Sequence, residues 1–206
     1  MKNTNRNHRK IVHLTLVAVM TALATVIYLL LPEIPLVPGV SYLKIDFSDL
    51  PALLLGFVSG PVYGIAVEVL KNLIHLPQTT TFTFGIGEIM NIGIGSAMIG
   101  GITLFTRRLS RLMKKPQLHP LPYFLSAALT LLGCIVAGWL LNAALTPLFY
   151  RVMGMPLTTE LLLAGIGGST ALNAVKCALN LLPFYPVYYA AAAAVRHLLP
   201  AETENG

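Results

Sequence analysis

Charge is scarce in this chain. Of its 206 residues only 11% are Asp, Glu, Lys or Arg, against 55% hydrophobic side chains and a mean hydropathy of +0.73. A soluble domain of this length needs more charged surface, so the composition excludes that class and points to an integral membrane protein. Cysteine is nearly absent as well. Cys134 and Cys177 both lie in apolar runs, which excludes a disulfide framework or thiolate metal site and reads as two buried structural thiols.

The signatures of catalysis are also missing. There is no G-x-x-x-x-G-K-[ST] loop, so the chain cannot itself cradle a nucleotide. No H-E-x-x-H occurs, and Gly85-Ile86-Gly87 has Met90 where a dinucleotide turn needs its third glycine. Gly168-Ser169 has neither a His partner nor the strand-to-helix setting of a nucleophile elbow. The histidines (His8, His13, His75, His119 and His197) sit mostly at the ends of apolar runs, which suits interfacial placement. These absences leave binding as the expected role, with no transformation of the ligand evident in the residues. The pI near 9.5 does not indicate nucleic acid, because the basic residues fall between apolar segments.

What is present is a series of long apolar runs. The first extends from Ile11 to Leu31, too long for a cleaved leader and long enough to cross a membrane. Pro32, Pro35 and Pro38 end it and open a loop, EIPLVPGVSYLKIDFSD, carrying Lys44, Asp46 and Asp49. A second run from Leu50 to Leu76 is broken at Ser59-Gly60-Pro61, predicting two short spans and a tight turn. The fourth span is expected from Gly85 to Phe105, stopping at Arg107-Arg108, and the fifth from Leu121 to Leu145, ended by Pro147. The sixth, Leu163 to Val195, is too long for one straight crossing and predicts a partly extramembrane start with a kink near Pro183 and Pro186.

Basic residues set the orientation. Lys2, Arg6, Arg9 and Lys10 precede the first span, Arg107, Arg108, Arg111, Lys114 and Lys115 follow the fourth, and Arg196 follows the sixth. Six spans put all three clusters on the cytoplasmic side. The opposite loops are read as holding Lys44, Lys71 and Arg151, balanced by Glu33, Asp46, Asp49 and Glu160. The expected fold is an all-α integral membrane protein of six transmembrane helices with both termini cytoplasmic. Residues 1–10 form a basic N-terminus, 11–199 the helical substrate-binding domain and 200–206 a polar, disordered tail. Small residues recur every four positions at Gly56, Gly60 and Gly64, at Gly93, Ala97 and Gly101, and at Ala18 and Ala22. Such stripes let helices approach closely, and internal bundle packing is the plain reading of each.

The intramembrane polar residues are few and fall on three helices. Glu88 and Asn91 share a face of the fourth span, Asn142 lies near the outer end of the fifth, and Asn173, Lys176 and Asn180 follow one another by a turn along the sixth. A buried ammonium is unfavourable unless it faces a cavity or a partner. One solution is structural, Lys176 pairing with Glu68 or Glu88. The other is a polar pocket, open to the outside, whose amides and ammonium are satisfied by a flat guest. Asn offers donors and an acceptor and Lys three donors, a set that suits a planar heterocycle with carbonyl and imide edges better than a bare ion. On that second solution the cluster is not plugged by the chain's own acidic side chains.

The stretch Tyr42-Leu43-Lys44-Ile45-Asp46-Phe47-Ser48-Asp49-Leu50-Pro51-Ala52-Leu53, followed by Gly56-Phe57 and Gly60-Pro61, resembles the riboflavin-specific substrate-binding subunits (S components) of energy-coupling-factor (ECF) vitamin transporters. The resemblance continues through GIGEIMNIGIG, the Asn142 region and Asn173-Ala174-Val175-Lys176. It implies a multi-pass protein of the bacterial cell membrane that captures riboflavin (or FMN) as cargo, with no cofactor of its own. The implied partners are a transmembrane coupling subunit, two cytoplasmic ATPases that supply the nucleotide chemistry, and the lipid bilayer, with no nucleic acid. Carried onto this chain, Asn142, Asn173 and Lys176 match the positions that hold the flavin ring, with Glu88 and Asn91 a looser match. Tyr42, Leu43, Lys44 and Asp46 match the loop that covers the site, and Ala18 and Ala22 the face that meets the coupling subunit. The competing readings are an S component for a thiamin- or pyridoxine-type vitamin, an intramembrane enzyme, and a structural membrane subunit.

Overall fold

In the computed structural model the described residues are 2–30, 34–35, 44–45, 47–79, 85–117 and 119–198. They form six helices: α1 (Lys2–Leu30), α2 (Asp49–Ser59), α3 (Pro61–Thr79), α4 (Ile86–Met113), α5 (Pro120–Val152) and α6 (Thr159–Leu198). Between α1 and α2, β1 (Ile34–Pro35) pairs antiparallel with β2 (Lys44–Ile45), Ile34 opposite Ile45 and Pro35 opposite Lys44. The polar tail 200–206 lies outside the described residues.

The break at Ser59-Gly60-Pro61 separates α2 from α3 as the sequence predicts. Gly60 has φ +128, a conformation open to glycine, and Pro61 starts the next helix. Among the described residues four helices are long and apolar enough to cross a membrane, within Asn7–Leu30, Ile86–Met113, Pro120–Val152 and Thr159–Ala190. α2, with 11 residues, rises only about 16 Å, roughly half of a hydrocarbon core.

Three predicted ends are corrected. α1 begins at Lys2 instead of Ile11, and α4 runs past Arg107-Arg108 to Met113. Hydropathy marks where a helix leaves hydrocarbon, whereas Lys and Arg are good helix formers and let the backbone continue. α5 continues through Pro147 to Val152, and α6 runs as one helix through Pro183 and Pro186. Proline is tolerated inside bundled membrane helices because neighbouring groups meet the backbone bonding it interrupts, and α6 is also tied to α5 by the Tyr123 hydroxyl, which donates to the Leu181 carbonyl at 2.6 Å.

The glycine stripes are packing surfaces. A Cβ on Gly56 would lie 2.7 Å from Ile99 Cγ2, and one on Gly64 would lie 2.5 Å from the Ala52 carbonyl oxygen and 2.7 Å from Gly56 Cα. On α4, Gly93 meets Leu141 and Gly101 meets Thr130, both on α5. Because the obstacle at Gly64 is backbone, Gly64→Ala is expected to destabilise the protein by about 1–3 kcal/mol. A depressed unfolding midpoint in detergent reads this out, and an unchanged midpoint contradicts it.

The bundle is layered. At one end His13 of α1 stacks on Tyr63 of α3, with ring centroids 4.4 Å apart, and Arg107 lies beside the Gly60 turn. Phe57, Tyr123, Phe184 and Tyr188 form an aromatic cluster joining α2, α5 and α6. At the other end Tyr28 of α1 stacks on His75 of α3, centroids 3.9 Å apart, and His75 meets Glu88 of α4. The polar groups gather there.

Candidate ligand-binding site

Six side chains from four helices close into a ring. Asp49, the first residue of α2, is 2.5 Å from Lys71 Nζ of α3 through Oδ1. Lys71 Nζ lies 2.9 Å from Glu68 Oε2, and Glu68 Oε1 accepts from Asn72 Nδ2 at 2.8 Å. Asn72 Oδ1 accepts from Asn91 Nδ2 of α4 at 2.9 Å, and Asn91 Oδ1 accepts from Lys176 Nζ of α6 at 2.6 Å. Lys176 Nζ then returns to Asp49 Oδ2 at 3.4 Å, the longest link. Two carboxylates and two ammoniums make the ring neutral when all are ionised. Buried ions persist only when paired and hydrogen-bonded in this way.

The surroundings reinforce it. Ser48 Oγ also accepts from Lys71 Nζ, at 3.0 Å, and the Lys71 ammonium stands 5.5 Å from the centre of the Tyr28 ring. Gly95 of α4 is where α3 comes close, since a Cβ there would lie 2.7 Å from the Glu68 carboxyl. A side chain at this position would push into the ring.

The residues singled out from sequence distribute unevenly over this structure. Asn91 and Lys176 are ring members. Glu88 lies outside it, its Oε1 3.4 Å from His75 Nδ1. Asn142 and Asn173 sit together at the α5–α6 contact around Gly138. Asn142 Nδ2 donates to the Gly138 carbonyl at 2.7 Å, while a Cβ on Gly138 would lie 3.9 Å from Asn173 Cβ. Among the described residues Asn173 makes no side-chain hydrogen bond, and the carboxamide oxygen of Asn142 makes none. These two amides keep bonding capacity at the α5–α6 contact, and Asn173 is one turn from Lys176 along α6. Tyr42, Leu43 and Asp46 lie outside the described residues, as does the side chain of Lys44. Ala18 and Ala22 are exposed on α1.

The structure corrects two sequence expectations. Lys71 and Asp49 are not loop charges: Lys71 is 0% and Asp49 1% exposed. Nor does Lys176 stand apart from the chain's own acidic side chains: Asp49 and Asn91 meet it. Its burial alone does not call for a guest, because the first turn of α2 brings a carboxylate beneath it. Glu68, Lys71, Asn72 and His75 were missed as site-forming residues. Their spacing of three, four and seven puts them on one face of α3, and that polar stripe inside an apolar run was the available signal.

The profile of the family described as "ECF transporter, substrate-specific component" matches residues 12–188. Over 91 residues the chain is 36% identical to "Riboflavin transporter FmnP" of Bacillus subtilis (strain 168), covering 44% of this chain and 47% of that protein. Over 99 residues it is 34% identical to "Riboflavin transporter RibU" of Staphylococcus aureus (strain TCH60), covering 47% of each. The chain thus matches about half the length of these curated relatives. A solved structure described as "Structure and mechanism of the S component of a bacterial ECF transporter" superposes with a TM-score of 0.65 at 21% identity, over 89% of this chain and 97% of that one, which establishes a shared fold. With the profile running from the first helix into the last, the chain belongs to the family of substrate-specific components of ECF transporters.

Proposed function

We propose that this protein is a riboflavin-binding S component, a transport subunit of the bacterial cell membrane that captures the vitamin outside and delivers it through an ATP-driven coupling module. The observation that carries the flavin reading is the pair of under-used amides, Asn142 and Asn173, at the α5–α6 contact, with Asn173 one helical turn from Lys176. The names of the two relatives support the same ligand. An isoalloxazine has an apolar dimethylbenzene end and a pyrimidine edge of carbonyls and an imide. Asn142 and Asn173 take that edge, and Lys176 adds a charge-assisted donor. To do so Lys176 gives up the 3.4 Å contact to Asp49, the weakest link of the ring, while Asp49 stays held by Lys71. The Tyr42–Asp46 segment covers the bound ligand.

Both termini are cytoplasmic, and the six helices make six crossings where the α2–α3 hairpin spans the membrane as a pair. The sidedness survives even where α2 is too short to cross alone, because the α2–α3 hairpin contributes two crossings or none. Either way the N-terminal cluster and the Arg107–Lys115 cluster fall on one side, as the positive-inside rule requires. Delivery requires partners: a transmembrane coupling subunit that docks on the Ala18 and Ala22 face, and two ATPases. Asn173→Ala is expected to weaken flavin binding by about 1–3 kcal/mol, the cost of leaving a buried polar partner unmet. Quenching of flavin fluorescence by the purified variant and parent measures this. Unchanged affinity removes Asn173 from the site, and a parent that ignores flavin but binds thiamin or pyridoxine transfers the site to another vitamin.

A further inference from the structure

Among the described residues no acidic side chain pairs with the three guanidiniums near the end of α4. Among the described residues the ion pairs involve Asp49, Glu68, Lys71, His75, Glu88 and Lys176, and none reaches Arg107, Arg108 or Arg111. The same three arginines line a concavity of about 560 Å³ together with Leu104 and Leu112. The five positions are spaced at zero, three, four, seven and eight, so they occupy one broad face of α4. Leu104 is 55% and Leu112 71% exposed, at the level where the helix passes from apolar to basic sequence. Arg107 lies beside the α2–α3 turn, its Nη1 3.9 Å from where a Gly60 Cβ would be.

We propose that this concavity is a binding site for the phosphodiester headgroup of an anionic phospholipid. The guanidiniums bind the phosphate oxygens in their planar, two-pronged manner, while Leu104, a turn before them on α4, lies against the upper acyl chains. The mixed lining favours lipid over an acidic protein segment. An acidic segment matches the arginines but leaves exposed Leu104 facing its charges, whereas a phospholipid presents hydrocarbon and then phosphate in the order in which α4 presents Leu104 and then Arg107, Arg108 and Arg111. On the orientation proposed above the site faces the cytoplasmic leaflet, where anionic lipids attract juxtamembrane basic residues. The headgroup chemistry itself does not depend on the flavin reading.

The test uses the full chain in detergent micelles, titrated with phosphatidylglycerol or phosphatidylcholine and followed by native mass spectrometry and by the shift in unfolding midpoint. Phosphatidylglycerol is expected to be retained in preference to phosphatidylcholine and to raise the midpoint, while inorganic phosphate alone does neither. Each of Arg107→Gln, Arg108→Gln and Arg111→Gln is expected to weaken retention about five-fold, with flavin binding unchanged. Because Lys114 and Lys115 remain, the topology signal is kept. Replacing all three arginines by lysine preserves charge and serves as the folding control, and is expected to lose part of the preference. Equal retention of both lipids, or phosphatidylglycerol retention untouched in the triple glutamine variant, overturns the proposal. So does a triple variant that keeps the lipid but no longer co-purifies with the coupling module, which assigns the face to a protein.

Discussion

Asp49→Ala is expected to be among the most damaging single substitutions in this chain, lowering stability by about 3–5 kcal/mol, the range for breaking a buried ion pair. Asp49 answers two ammoniums at once, Lys71 through Oδ1 and Lys176 through Oδ2, and its own side chain is 2% exposed. Alanine leaves Glu68 as the only carboxylate in the ring, facing two positive charges. The double variant Asp49→Ala/Lys176→Met removes one charge of each sign and leaves the Lys71–Glu68 pair, so it is expected to be more stable than Asp49→Ala alone. Unfolding midpoints in detergent measure both. Should Asp49→Ala unfold at the parental temperature, the ring contributes no cohesion.

Ala18→Trp is expected to reduce vitamin uptake to background while leaving vitamin binding intact. α1 packs inward through Leu16, Val17, Met20, Thr21, Ala24 and Thr25, whereas Ala18 and Ala22 turn outward. An indole at position 18 therefore leaves the internal packing of the bundle alone and thickens the face on which close helix approach depends. Uptake of labelled riboflavin by cells carrying the coupling module, set beside flavin binding by the same purified variant, separates the two effects. Retained uptake moves the docking face elsewhere on the protein.

The helical architecture was legible because apolar runs, proline and glycine breaks and basic clusters are local signals. Ser59-Gly60-Pro61 announced the α2–α3 turn at the residue where it occurs. Helix ends were less legible, as α4 shows: the hydrocarbon boundary near Arg107 and the end of hydrogen bonding at Met113 obey different physics. At the candidate site, Asn91 and Lys176 were visible as polar residues in apolar surroundings. Lys71 and Asp49 were misplaced because a charge at the edge of an apolar run reads as a loop residue. Only the fold reveals that the first turn of α2 is tucked between α3 and α6. The partnership between Asp49 and Lys176 joins residues far apart in the chain, and no spacing rule encodes it.

The neutral ring also bears on biosynthesis. Asp49, Glu68 and Lys71 are made early and carry one surplus negative charge among them, while the balancing Lys176 arrives only with the last helix. Until α6 is inserted, the earlier helices hold a carboxylate with no counter-ion at depth. A nascent chain halted before α6 should accordingly remain a substrate for quality-control proteolysis, and completion of the final helix is the event that locks the bundle.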